Sequence, residues 1–237
     1  MDKYNCLMYH EIADHGDKYA LDRQSFLEHI NYMERNGMNA ISIKDTSTLN
    51  YSKNNIVLTF DDGFVSDVWA GEELAKLGFT ATFFLVEDFI KNTSNNYMNK
   101  NQVKLVASMG HEIGVHGKNH DAWTSKPKKQ LLSELNNTKL WLEDLTGTKV
   151  DTCSAPGGKL NKEIVSALQT DGNFKHVRNS IPWFTNIASF EVNSTAILQE
   201  DSLPIFIKKL EGEYFYYKYL YSKQLLKDQV KKMIGRY

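Results

Sequence analysis

Short runs of β-branched, aliphatic and aromatic residues alternate along most of this chain with longer segments of helical period, and that alternation commits it to an α/β fold. Strand-like runs fall at 5–9, 40–43, 56–60, 79–86, 112–116, 150–155 and 174–178. Helical patterns lie between them. Ser25 and Glu28 offer a capping box, Phe26, Ile30 and Met33 follow at helical spacing, and Gly37 stops the helix. Segments 66–77, 102–109, 127–145 and 162–168 continue the pattern, with Leu131, Leu135 and Leu142 forming the apolar side of the third. Strand and helix in turn build parallel pairings, and about seven such strands suit a barrel or distorted (β/α) barrel.

Composition fits one large domain over residues 1–237. Of the 237 residues 41% are hydrophobic, enough for a substantial core, and neither an internal repeat nor a linker divides the chain. A net charge of −1 gives no bulk attraction to nucleic acid. No run approaches the ~18–20 apolar residues of a membrane-spanning helix. The opening Met1-Asp2-Lys3-Tyr4-Asn5-Cys6 lacks the apolar core of a secretion signal, and Cys6 and Cys153 fall in strand-like runs as reduced core thiols. A cytoplasmic setting is the expectation. Polar segments 44–55 and 91–100 read as loops.

The chemistry concentrates at the ends of the strand-like runs. Ile56-Val-Leu-Thr-Phe60 delivers two adjacent carboxylates, Asp61 and Asp62, onto Gly63. Neighbouring carboxylates at the end of a buried strand repel unless a cation offsets one of them, so the pair suits a metal ligand beside a base. Fifty residues on, the run 112–116 ends at His116, and His120 follows at His-x-x-x-His spacing, which lets two imidazoles reach one ion. One carboxylate and two imidazoles would hold a divalent ion such as zinc and leave a position open for water. In a parallel barrel the strand ends share one rim, so His10, Asp61, Asp62, His116 and the turn Pro156-Gly157-Gly158 are expected to meet there.

Thr59-Phe-Asp-Asp-Gly63 and His116-x-x-x-His120, in that order, resemble the first two motifs of the polysaccharide deacetylases, also called NodB-homology or carbohydrate esterase family four proteins. Ser154-Ala-Pro-Gly-Gly158 resembles a variant of the third, Arg-x-Pro-x-Gly. The resemblance runs from about residue 5 to residue 180 and implies a distorted (β/α) barrel that removes acetyl groups from glycans with a bound metal, most often from N-acetylhexosamine units. It implies Asp62, His116 and His120 as metal ligands, Asp61 as general base, and the Gly157 N–H after Pro156 as oxyanion donor. The late Leu-x-His motif that usually supplies the general acid is absent. Met8-Tyr9-His10 resembles a permuted arrangement that makes His10 the acid, with His176 in reserve and more suited to packing.

Two further departures mark the chain: Ser154 stands where the family has an arginine, and the Asp-x-x-Asp-Trp motif is not evident. Arg178 could supply the missing charge from a neighbouring strand end, or could be a solvated surface arginine. Trp123, Trp183 and Phe184 follow strand ends, where they could stack on sugar rings or fill core. A basic C-terminal helix at 222–235, with Leu226, Val230 and Met233 at helical spacing, is expected to pack on the barrel, with an anionic membrane as the other resting place. The expected partner is an acetylated amino-sugar glycan or its precursor, and a nucleic acid is not expected. A glycan-binding protein without activity and a hydrolase of small cyclic amides are the competing functions.

Overall fold

The structure, a computed structural model, describes residues 3–14, 17–47, 54–92 and 94–233. Its main sheet has nine strands: β1 (Cys6–Tyr9), β2 (Asn39–Ile41), β3 (Asn55–Phe60), β4 (Thr82–Leu85), β5 (Glu112–Val115), β6 (Thr152–Ser154), β7 (His176–Arg178), β8 (Glu191–Val192) and β9 (Thr195–Ala196). The order is β8-β7-β6-β5-β4-β3-β1-β9, and every pairing is parallel. β2 lies beside the start of β3, on Asn55–Val57, while β4 takes the stretch Thr59–Phe60.

The two edge strands explain the shape. β8 and β9 sit at opposite edges, yet only Asn193 and Ser194 separate them in sequence. Three Cα–Cα steps reach at most about 11 Å, so the sheet must curl until its edges nearly meet. With β8 and β9 forming one interrupted strand, seven positions run round the curl, in line with the expected distorted barrel.

Alternation along the strands sorts the side chains. Tyr4, Cys6, Ile41, Ile43, Val57, Phe84 and Val192 form a small cluster, whereas Leu7, Tyr9, Leu58, Phe60, Phe83, Ile113 and Val115 join the large core with the surrounding helices. Those helices are α1 (Arg23–Arg35), α2 (Asp67–Lys76), α3 (Glu87–Lys91), α4 (Lys100–Ser108), α5 (Lys128–Thr146), α6 (Lys162–Asp171), α7 (Leu203–Leu210) and α8 (Tyr214–Met233). Leu131, Leu135 and Leu142 are buried as the period of α5 requires, and Cys6 and Cys153 are buried free thiols.

Several local expectations need correction. α1 begins earlier than the Ser25 box implies, because Asp22 caps it by accepting from the Ser25 N–H at 2.8 Å. The polar stretch 44–55 contains a 3-10 turn at Lys44–Ser47 and the start of β3, and α3 and α4 reach into both ends of 91–100. Positions 48–53 and 93 of these two stretches lie outside the described residues, as do 234 and 235 of the expected C-terminal helix. That helix starts at Tyr214, eight residues before the expected 222, and Leu226, Val230 and Met233 are exposed rather than packed on the barrel. Its attachment is made by its first turns, where buried Tyr217 stacks on Phe184 and donates its hydroxyl to Lys209 O at 2.8 Å.

Candidate active site

The rim where the parallel strands end gathers the expected residues. Asp61 and Asp62 follow β3, His116 follows β5, and His120 lies in the loop beyond it. Their ligand atoms converge: Asp62 Oδ1 is 3.3 Å from His116 Nε2 and 3.1 Å from His120 Nε2. One atom from each of the three residues fits within a 4.8 Å cluster. Asp62 Oδ1 is buried and, despite these contacts, has no hydrogen bond of acceptable geometry. A carboxylate oxygen and two imidazole nitrogens aimed at a common point without satisfying one another suit a divalent cation.

Orientation is set from outside the cluster. His116 Nδ1 lies 2.9 Å from Ser154 O, which fixes this nitrogen as the donor and turns the Nε2 lone pair toward the cluster. Asp62 and His120 have φ of +73° and +62°, the only positive values at non-glycine positions among the described residues. Such strain persists only where the surroundings enforce it, and it falls on two of the three convergent groups. Gly117 has φ +93°, which side chains rarely adopt, and a Cβ there would also sit 3.2 Å from Trp123 Nε1, closer than ordinary contact. Trp123 is fully buried in the main core beside this loop and offers no face to a sugar.

The electrostatics follow from burial and proximity. Burial would push the Asp62 carboxyl up, but the two facing imidazoles outweigh it and hold the carboxyl well below the usual range. The contact with Asp62 pushes the His120 imidazole up. His10 stands at the end of β1, its ring 4.7 Å from that of Tyr19, with Nδ1 buried and unpartnered. Burial pushes its imidazole down, against the upward pull of Asp61 and Asp62.

Arg178 resolves the missing motif-three arginine. It is 1% exposed, which overturns the solvated-surface alternative. From the end of β7 its Nη2 donates to Asp61 Oδ2 and to Ser154 Oγ, and its Nη1 donates to Ser194 Oγ at 2.8 Å. Ser154 leaves room for a guanidinium arriving from the adjacent strand, since Arg178 and Ser154 are in register. Asp61 is left with one oxygen held and the other, Oδ1, buried without a partner. His176, two residues earlier, sets its Nδ1 3.1 Å from Ser189 O, the packing role expected of it.

Pro156 and Gly157 follow β6 in a short 3-10 turn. Gly157 has φ +63°, and nothing lies within 4 Å of where its Cβ would be, so the turn is open to a ligand on that side. Trp183 and Phe184 are not rim residues: they pack on Tyr214, Tyr217 and Tyr221 of α8, near the strand beginnings. Aromatic residues that sequence reasoning passed over stand closer. Tyr97 stacks between Phe64 and Phe89, and the Phe89 ring is 6.0 Å from that of His120. A Tyr in an Asn- and Ser-rich segment was the one signal available.

A curled parallel barrel with an Asp-His-His cluster at its rim defines a class of hydrolase site, and sequence relatives tie the chain to a named family. The polysaccharide deacetylase family profile matches residues 48–173, more than half of the chain, and the chain belongs to that family. It is 26% identical over 176 residues to YxkH of Bacillus subtilis (strain 168), a match covering 72% of this chain and 62% of YxkH. It is 30% identical over 115 residues to the peptidoglycan-N-acetylglucosamine deacetylase PgdA of Listeria monocytogenes serotype 1/2a (strain 10403S), covering 48% of this chain and 23% of PgdA. The chain thus spans less than two thirds of either relative. In fold it is similar to the Streptococcus pyogenes deacetylase PplD, solved in complex with acetate, with a TM-score of 0.79 at 19% identity over 88% of this chain and 98% of that one.

Proposed function

We propose that the protein hydrolyses the N-acetyl group of an N-acetylhexosamine unit in a glycan or glycan precursor, releasing acetate and leaving a free amine. The observation that carries this reading is Asp61, whose Oδ2 is held by Arg178 while its buried Oδ1 has no partner, beside an Asp-His-His cluster. Family membership and the naming of PgdA for N-acetylglucosamine deacetylation support the bond type and the sugar class.

Asp62, His116 and His120 would hold a divalent ion, with zinc favoured by the two imidazole donors, and the ion when bound supplies Lewis-acid polarisation and a more acidic water. The rest of the work falls to side chains. Arg178 fixes the Asp61 carboxylate so that Oδ1 accepts the proton of the water attacking the acetyl carbonyl. The Gly157 N–H donates to the oxyanion as it develops. His10, half-buried at the end of β1, enters as the imidazolium and gives its proton to the sugar nitrogen as the C–N bond breaks, and the proton taken up by Asp61 recharges it once acetate has left. Water, amide and proton are thereby accounted for, with acetate and amine as products.

The test is acetate release from N-acetylglucosamine oligosaccharides by the metal-loaded protein and its Asp61→Asn variant. Acetate from wild type alone supports the reading. Sugar binding without acetate from either protein would replace it with a glycan-binding role.

A further inference from the structure

Helix α8 carries an apolar stripe on the side that does not attach it to the barrel. At 100° per residue Tyr216, Tyr217, Leu220, Gln224 and Asp228 fall on one side, and these are the buried and half-buried positions of the helix. Phe215, Tyr219, Leu226, Val230 and Met233 fall within about 60° of one another on the other side. All five are exposed, Phe215 at 76%, Leu226 at 63% and Met233 at 78%. Monomeric proteins seldom leave so long an apolar stripe open, about 27 Å from end to end at 1.5 Å per residue.

The charges beside the stripe select its occupant. Of the five lysines between Tyr214 and Met233, Lys218 and Lys223 flank the stripe, whereas the helix's one acid, Asp228, is on the barrel side, 3.4 Å from Gln224 Nε2. Lys223 Nζ lies 5.8 Å over the exposed Tyr219 ring. A second copy of this helix would bring lysines against lysines, which disfavours self-pairing. Among the described residues no helix is long and apolar enough to cross a membrane, so the stripe suits contact with a lipid surface rather than insertion across it.

We propose that the outer face of α8 docks the protein on an anionic lipid surface, its apolar stripe seated at the headgroup boundary and Lys218 and Lys223 on the lipid phosphates. Lysines at such a surface contribute roughly fivefold each to binding, and the buried stripe supplies the remainder.

Co-sedimentation of the full chain with vesicles of mixed phosphatidylglycerol and phosphatidylcholine, and of phosphatidylcholine alone, tests the proposal. The expected result is salt-sensitive binding to the mixed vesicles. It should fall by about tenfold or more in the double variant Leu226→Glu, Val230→Glu, and by roughly twenty-fivefold or more in Lys218→Glu, Lys223→Glu. Circular dichroism and the thermal midpoint should be unchanged, because these side chains touch solvent. Equal binding by wild type and both variants, or no binding to mixed vesicles, overturns the proposal. So does a dimer in analytical ultracentrifugation that Leu226→Glu, Val230→Glu dissociates while vesicle binding persists, since the stripe would then belong to a second copy.

Discussion

Asp61 and Glu112 are both buried carboxylates of one barrel, placed at opposite ends of strands two apart in the sheet, and their partners differ in kind. Glu112, at the start of β5, is satisfied at both oxygens. Thr82 Oγ1 donates to Oε2 at 2.7 Å, the Lys44 N–H to the same oxygen at 3.0 Å, and Thr152 Oγ1 to Oε1 at 3.0 Å. Burial still pushes this carboxyl up, but no group near it awaits a partner. Asp61, beyond the end of β3, has an arginine on one oxygen and nothing on the other, and the neighbouring Asp62 Oδ1 and His10 Nδ1 are likewise unpartnered. A saturated buried carboxylate holds strands together; a half-saturated one at a strained rim keeps a position for a reactant.

The same exchange of carboxylate for amide separates the two ends. Asp61→Asn removes the proton acceptor, and acetate release is expected to fall about 10³-fold with bound metal unchanged, measured as kcat alongside metal content. Loss of metal together with activity would reassign Asp61 to the cation site. Arg178→Lys comes next. Lysine keeps the charge but loses the fork that reaches Asp61, Ser154 and Ser194 together, so kcat should drop about 10²-fold while KM holds. A drop confined to KM would remove Arg178 from the orientation of the base.

These two residues also mark how far the sequence could be read. Asp61, Asp62, His116 and His120 lie in two short stretches whose strand character is local, so their spacing carries the site. Arg178 was harder to place. Its partner Asp61 is 117 positions away, and which strand end lies beside Ser154 is a property of the closed sheet, not of any local pattern. α8 begins eight residues before the expected 222, because its aromatic first turn has little helical propensity of its own and is anchored by the tertiary contact of Tyr217 with Phe184, which no local pattern shows. The α8 stripe had the right period for burial, but period reports which residues share a face and not what covers it.

Glu112→Gln tests the saturated end. The amide oxygen can still accept from Thr82 and the Lys44 N–H, but its NH2 then faces Thr152 Oγ1, which must turn from donor to acceptor, so stability should fall by about 1 kcal/mol in chemical denaturation while acetate release by the folded fraction is unchanged. An activity loss as large as that of Asp61→Asn would mean that the two ends of the barrel are coupled.

His29 gives the most selective check, because it is a buried group of the saturated kind outside the barrel. Its ring stacks on Phe206 with centroids 3.6 Å apart, and its Nδ1 lies 3.2 Å from the Tyr9 hydroxyl. Burial pushes its imidazole down from 6.5 to about 3. Between those values the unfolded chain binds a proton that the folded protein refuses, so stability is present above 6.5 and lost as the pH falls toward 3. From pH 7.5 to 5.5 this group alone should lower stability by about 1.4 kcal/mol. Asp67 and Glu112, whose carboxyls burial pushes up, act in the opposite sense, so the measurement is the difference between wild type and His29→Gln across that range. A wild-type advantage over the variant that shrinks by about that amount as the pH falls would confirm a neutral buried imidazole. A flat difference would mean that His29 finds a proton in the folded state, and that a hydrogen bond and a stacked ring are not enough to make a buried group inert.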